Sequence, residues 1–450
     1  MSKTIIPAMP EHENWTAEQW KAIWAKDQDV LVAAAAGSGK TAVLVNRIIQ
    51  KVLSEEEPMD VDELLVVTFT NASAAEMRHR IGNALEKAIR SNPQSQHLRK
   101  QLSLINRASI STLHSFCLEV IRKYYYLTEI DPGFRIADSA EAELLRDEVL
   151  EELFEEQYGR SDNERFFRLV DAYTSDRNDD ALQGMIRTLH DFSRAHPDPG
   201  EWLNRTVSMY ELPEGSSIED LPFYETLLFD IGLKLQSVKD LLQQGMELTK
   251  VPGGPAPRAE NFIADLEIAE GLIEASGQSW NSLYEKMNNW KFSTAKRCSG
   301  ADFNKDLVDQ AAKLRNRAKK ILEDLKKELF IRKPGHYLQD IKDMKEYAET
   351  LVELVKEFDS KFSAEKTEKN LVDFSDLEHY CLDILTDEKS GEILKPSEAA
   401  EEYRKQFKEV LVDEYQDTNL VQESILNLVT SDGEYDGNLF MVGDVKQVRP

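Results

Sequence analysis

No stretch of 18 consecutive apolar residues occurs in the 450-residue sequence, so no segment reads as a membrane-spanning helix. The opening "MSKTIIPAMPEHENW" has no apolar core of the kind a secretory leader carries, and a soluble, cytoplasmic protein is the expectation. Cysteine is scarce. Cys117, Cys298 and Cys381 lie far apart with no CxxC spacing, which removes support for a zinc site, an iron–sulfur cluster or a disulfide framework. Basic residues are outnumbered 55 to 82, for a net charge of −27. Bulk charge therefore cannot hold nucleic acid, and any such contact has to be local. No internal repeat and no low-complexity tract is present.

With 41% hydrophobic and 30% charged residues the chain reads as globular, and its length suits two to four domains. Five short, apolar, β-rich segments, near 29–36, 64–70, 108–112, 408–413 and 438–443, read as strands of a buried parallel sheet with helices between them. Between about 135 and 370 the texture is charged, amphipathic helix. Leu307, Ala311, Leu314, Ala318, Ile321 and Leu325 recur at the spacing of a helix–helix seam. "RKPGH" at 332–336 breaks that helix, Leu338, Ile341, Met344, Leu351, Leu354 and Phe358 mark a second, and an antiparallel pair is expected. "KVPGGPAPR" at 250–258 is a loop, either a surface excursion or a join between helical subdomains. The pattern describes an α/β fold interrupted by a large all-helical insertion: 1–135 as the first part of the α/β domain, 136–370 as the insertion and 371–450 as the remainder.

The segment "VLVAAAAGSGKTAVLV", residues 30–45, sets a glycine-rich turn between an apolar strand and the start of a helix. Backbone N–H groups in such a turn cradle an anion. Gly39, Lys40 and Thr41 fill the last three places of the phosphate-loop pattern; Ala34 stands where its first glycine is usual, and Gly37 supplies the tight backbone instead. Lys40 reaches the β and γ phosphates as a point charge and the Thr41 hydroxyl holds magnesium. The alternative is a glycine turn at an ordinary strand–helix corner, but a lysine and threonine there have no packing purpose. In "VLVDEYQDT", 410–418, an apolar strand delivers two carboxylates: Asp413 suits magnesium, and Glu414 suits the proton of an attacking water. Together they point to a nucleoside triphosphate hydrolase.

The order "WTAEQWKAI", "AAAAGSGKT", "VVTFTNASAAEMRHRI", "ISTLHSFC", "VLVDEYQDT" and "MVGDVKQ" resembles the successive motifs of superfamily 1 DNA helicases of the UvrD/Rep/RecB kind. With "DFSDLEHY" at 373–380, the resemblance is closest to the A subunits of AddAB helicase–nucleases. It is dense over 15–135 and 370–447 and loose in the insertion. It implies a RecA-like motor domain, with ATP and Mg2+ as cofactors, and an ATP site of Gln19, Ala34, Ala35, Ala36, Gly37, Ser38, Gly39, Lys40, Thr41 and Gln447. In that family Gln19 matches the adenine-reading glutamine, Asp413 the magnesium ligand beside Thr41, Glu414 the catalytic base with Lys40, and Gln447 a γ-phosphate sensor. Phe69, Thr70 and Asn71, with His114 and Ser115, match contacts to single-stranded DNA, where a ring stacks on a base. The bland alternatives are a core aromatic for Phe69, a buried histidine for His114 and an exposed helix residue for Gln19. Arg78 and Arg80 read as a solvated helix face.

The resemblance further implies 3′ to 5′ translocation on single-stranded DNA, duplex unwinding and end resection at double-strand breaks, within a heterodimer completed by an AddB-type partner. The insertion either docks that partner or flanks duplex. In the family "GDVKQ" leads into a second motor domain and, later, a nuclease domain; here it continues "VRP". The expectation is that the chain alone binds ATP weakly and hydrolyses it poorly. Two rival readings are a UvrD/Rep-like helicase without nuclease and a non-catalytic partner-binding scaffold; keeping Lys40, Thr41, Asp413 and Glu414 together argues against the scaffold.

Overall fold

The computed structural model describes residues 6–10, 14–35, 37–54, 58–128, 130–174, 178–300, 302–387, 394–431 and 437–444. The chain divides into two compact units, one of residues 1–162, 176–202 and 354–450, the other of 163–175 and 203–353.

The first unit is built on strands β1 (Val30–Ala33), β2 (Leu64–Thr68), β3 (Ser109–Thr112), β4 (Arg135–Ile136), β5 (Leu371–Val372), β6 (Glu409–Val412) and β7 (Leu439–Gly443). Five of them form one parallel sheet in the order β1-β7-β6-β2-β3; β4 and β5 make a separate parallel pair. The five strand segments read from the sequence coincide with the five-stranded sheet, whereas the β4–β5 pair gave no apolar run to find. Helices α1 (Ala17–Trp24), α2 (Lys40–Leu53), α3 (Asn71–Ser91), α4 (Gln96–Leu104), α5 (Leu113–Tyr124) and α6 (Ser139–Gly159) follow in the first half of the chain. Next come α7 (Glu164–Tyr173), α8 (Asp180–Arg194), α9 (Pro199–Ser208), α10 (Tyr224–Lys250), α11 (Ala259–Ser276), α12 (Trp280–Asn289) and α13 (Lys305–Leu329). The last are α14 (Pro334–Glu368), α15 (Phe374–Leu385), α16 (Glu398–Gln406) and α17 (Leu420–Val429).

Two cores sandwich the sheet. Val66, Leu411, Phe440 and Val442 face Leu44 and Ile48 of α2 and Met77 and Ile81 of α3. Leu65, Val67, Val410 and Val412 face Phe116 and Val120 of α5, Leu377 of α15 and Ile425 of α17. Every residue of β2 and β6 is buried, as a parallel strand covered on both faces requires. β1 is an edge strand, shorter than the apolar run that contains it, and its Leu31 is 58% exposed. Arg78 does not lie on a solvated face: its guanidinium donates to the Ile110 carbonyl of β3.

The topology sets the site. β6 and β7 lie between β1 and β2, and register pairs Ala33 with Gly443, Val412 with Met441 and Val67 with Val412. Segments far apart in the chain thus end at one carboxyl edge of the sheet, where α/β folds bind ligands.

In the second unit α13 lays its buried Ala311, Ala318, Leu322 and Leu325 along α10. Leu338 and Ile341 at the start of α14 are only partly buried against that core. The loop at 250–258 is the turn joining α10 to α11, with Gly254 and Pro255 buried. Helix α11 packs tightly on α10 at Gly245, where a Cβ would lie 2.3 Å from Phe262 Cε1. Gly245→Ala is expected to destabilise this unit by about 1–3 kcal/mol, measured by urea denaturation, because the fully buried Phe262 ring has nowhere to move.

Candidate functional site

The turn after β1 is shaped by its glycines. Gly37 and Gly39 take φ of +78° and +81°, the left-handed region that side chains avoid. Gly39 precedes α2 and offers no side-chain cap, so the first-turn N–H groups of that helix are left for an anion. Lys40 Nζ donates to the Ala34 carbonyl at 2.8 Å and lies 3.9 Å from Asp444 Oδ2. Ser38 N–H donates to the Ala35 carbonyl at 3.2 Å, closing the loop.

Thr41 Oγ1 donates to Asp413 Oδ2 at 3.2 Å, across 372 residues of sequence. Asp413 is 8% exposed, and burial, then the neighbouring Glu414 charge, push its carboxyl above the ordinary aspartate value. Hard oxygen donors on one hydroxyl and one carboxylate, next to an anion cradle, fit magnesium shared with substrate phosphates. Glu414 has φ 54° and ψ 44°, a left-handed conformation that costs a non-glycine residue roughly 1–2 kcal/mol. Gln416 Nε2 donates to Glu414 Oε2 at 2.5 Å, and Gln416 Oε1 accepts the Asp444 N–H at 2.8 Å. A Cβ on Gly443 would meet that Gln416 oxygen at 3.0 Å, so the close approach needs glycine.

Gln19 lies at the third position of α1 and completes a capping box with Thr16. Its Oε1 accepts the Thr16 N–H at 2.9 Å and its Nε2 donates to the Ser38 carbonyl at 3.0 Å. Helix α1 and the glycine loop are thereby joined.

A second cleft, of about 480 Å³, opens at the carboxyl ends of β2 and β3, with Phe69, Thr70, Asn71, His114 and Ser115 in its wall. Phe69 is 66% exposed, which sets aside its reading as a core aromatic. Thr70 and Thr112 cap α3 and α5 by accepting the Ser73 and Ser115 N–H groups. His114 Nε2 lies 2.9 Å from Glu378 Oε1, and the ring of Phe374, 52% exposed, meets the His114 ring edge-on at 5.0 Å. Burial opposes the charge on Glu378, but hydrogen bonds from His114, Gln422 and Asn419 hold its carboxyl below the usual range.

His379, next on α15, is held neutral: burial, then the Arg194 charge, push its imidazole down to about 4, and its ring nitrogen donates to the Arg194 carbonyl at 2.9 Å. The unfolded chain protonates histidine near 6.5, so the stability this residue contributes is full above that pH. It drains away as pH falls toward about 4, up to about 3 kcal/mol in all. His379→Gln is expected to flatten that limb of the stability–pH curve, measured by urea unfolding at pH steps across the window.

The sequence matches the UvrD/REP helicase N-terminal domain over residues 15–448. The chain belongs to the UvrD/REP helicase family. Relatives from Bacillus cytotoxicus, Bacillus cereus and Bacillus thuringiensis subsp. konkukian, each named as the A subunit of an ATP-dependent helicase/nuclease, are 55% identical over 441 residues, or 98% of this chain. The chain spans 35–36% of the length of these relatives.

In this UvrD/REP chain the fold gathers Gln19, Ala34, Ala35, Gly37, Ser38, Gly39, Lys40, Thr41, Asp413 and Glu414 around the glycine loop, and the five candidate DNA residues around the second cleft. Ala36 and Gln447 lie outside the described residues. Sequence reasoning missed Gln416, Asp444, Phe374 and Glu378. All four stand inside motifs it quoted, yet Asp444, Phe374 and Glu378 meet partners remote in the chain, and Gln416 links its near neighbour Glu414 to the distant Asp444.

Proposed function

We propose that this chain is the ATP-binding motor portion of an ATP-dependent DNA helicase/nuclease, in which a helical insertion at 136–370 interrupts a RecA-like domain. One observation carries the reading: the Thr41–Asp413 hydrogen bond, which sets a magnesium-type oxygen pair beside the glycine loop. Gln19 reads the adenine edge, while the loop N–H groups and Lys40 hold the phosphates. Glu414, oriented by Gln416, takes the proton from water attacking the γ-phosphate in line. Thr41 and Asp413 would hold magnesium, which when bound draws charge from the phosphate oxygens. Single-stranded DNA runs over the second cleft, with bases stacking on Phe69 and the backbone on Thr70, Asn71, His114 and Ser115. In the cell the motor works in the cytoplasm on double-strand ends, moving 3′ to 5′ in a heterodimer with an AddB-type partner.

The test is binding of a fluorescent ATP analogue to the purified chain with and without magnesium and single-stranded DNA. Saturable, magnesium-dependent binding that unlabelled ATP reverses is the expected result; no binding under any of these conditions overturns the reading.

A further inference from the structure

Helix α1 is tied to the phosphate-loop helix at two places. The first is the Gln19–Ser38 hydrogen bond at the loop itself. The second lies at the other end of α1, where Arg47 of α2 donates through Nη1 to the carbonyls of Ala22 and Ile23 at 2.9 and 3.1 Å. Arg47 is 3% exposed, so its charge has to be met inside the protein. Glu409, at the start of β6 and 2% exposed, accepts its Nε–H, and the guanidinium lies 4.5 Å from the centre of the Phe440 ring of β7.

One buried side chain thus touches four elements, and each of them carries a residue of the nucleotide site. α1 holds Gln19, α2 begins at Lys40, β6 runs into Asp413, and β7 runs into Asp444. Arg47 stands two turns beyond Lys40 on the same face of α2, about 10 Å along its axis. The apolar packing of Trp20 and Ile23 presses α1 onto the domain but does not fix its rotation, because burial is non-directional. The two bonds that Arg47 Nη1 donates to successive carbonyls do fix it, because Nε of the same rigid plane is held on Glu409. A small rotation of α1 would swing the Gln19 amide out of line with the base edge.

We propose that Arg47 is a positioning residue for base discrimination: by gripping the carboxyl end of α1 it holds Gln19 in register with the phosphate loop. The inference rests on the reading of the glycine loop as an ATP site. It predicts a defect confined to recognition of the base.

The experiment displaces a fluorescent ATP analogue with ATP, with ITP, which carries a 6-oxo group in place of the 6-amino group, and with inorganic tripolyphosphate. The chain is compared with Arg47→Lys and with the paired variant Arg47→Met/Glu409→Leu, which removes the buried ion pair and leaves only the partly exposed Lys51 without its Glu409 partner. The original chain is expected to favour ATP over ITP by about tenfold, the paired variant by no more than about twofold, and Arg47→Lys to fall between. Tripolyphosphate is expected to compete equally with all three. An undiminished ATP preference in a folded paired variant overturns the proposal. Should that variant not fold, an undiminished preference in Arg47→Lys overturns it, since a single ammonium keeps the charge but has no rigid plane to hold Glu409 and both carbonyls at once. If the original chain does not distinguish ATP from ITP, the role of Gln19 falls and this inference with it. Tripolyphosphate displacement would still test the phosphate loop separately.

Discussion

Lys40→Ala is expected to weaken magnesium-dependent binding of a fluorescent ATP analogue by about 10- to 100-fold, the loss that follows from removing a charge-assisted bond of roughly 1.5–3 kcal/mol. The surroundings of Lys40 make the effect large. Its ammonium lies 3.9 Å from the 4%-exposed Asp444 side chain, and the carboxylates of Asp413 and Glu414 border the same loop. Without the lysine, a triphosphate would approach three acidic groups with only backbone N–H groups to offset them. The variant also loses the hydrogen bond to the Ala34 carbonyl and the cation beside the buried Asp444, so urea unfolding is run beside the binding assay to show that the chain is folded. Unchanged nucleotide affinity in a folded Lys40→Ala chain would remove the phosphate-loop assignment.

Lys366→Met is expected to cost the first unit about 3–5 kcal/mol at neutral pH, the usual penalty for leaving buried charge unpaired. Lys366 is 5% exposed, and its Nζ lies 2.8 Å from Asp373 Oδ2 and 2.7 Å from Asp376 Oδ1. Arg194, the other cation on this pair, reaches Asp376 alone, at 3.1 Å. Burial and the neighbouring Asp373 already push the Asp376 carboxyl up against the pull of Lys366. Removing the ammonium would raise it further, so acid should narrow the deficit as Asp376 takes up a proton. Urea unfolding of Lys366→Met at neutral and mildly acidic pH reads both the loss and its pH dependence, and Lys366→Met/Asp376→Asn should recover part of it. The shape of the second cleft is affected too, because these residues fix the start of α15, which carries Phe374 and Glu378 to His114.

The parallel sheet was legible because β2 and β6 are buried on both faces and read as unbroken apolar runs. β1 is shorter than its apolar run for the opposite reason: as an edge strand it alternates in burial, and Ala34 and Ala35 after it belong to the loop. The seam on α13 was correctly seen as a buried face. A heptad-like spacing says that a helix must be covered but not by which partner, and α10 covers it. The Pro/Gly loop at 250–258 announced a turn by composition, while the burial of Gly254 depends on the packing around it.

The sequence by itself determined the glycine-rich loop, the paired carboxylates and the helicase family. Each depends on local properties: glycines that allow positive φ, a lysine and threonine at a helix start, and carboxylates at the end of an apolar strand. Only the tertiary structure decided which distant groups complete them. That Asp413 meets Thr41, that Gln416 orients Glu414, that Glu378 anchors His114 and that Arg47 grips α1 all follow from strand order and helix packing. Glu414 and Gln416 are near neighbours, but the other contacts join residues far apart along the chain, and Thr41 meets Asp413 because the sheet inserts β6 and β7 between β1 and β2.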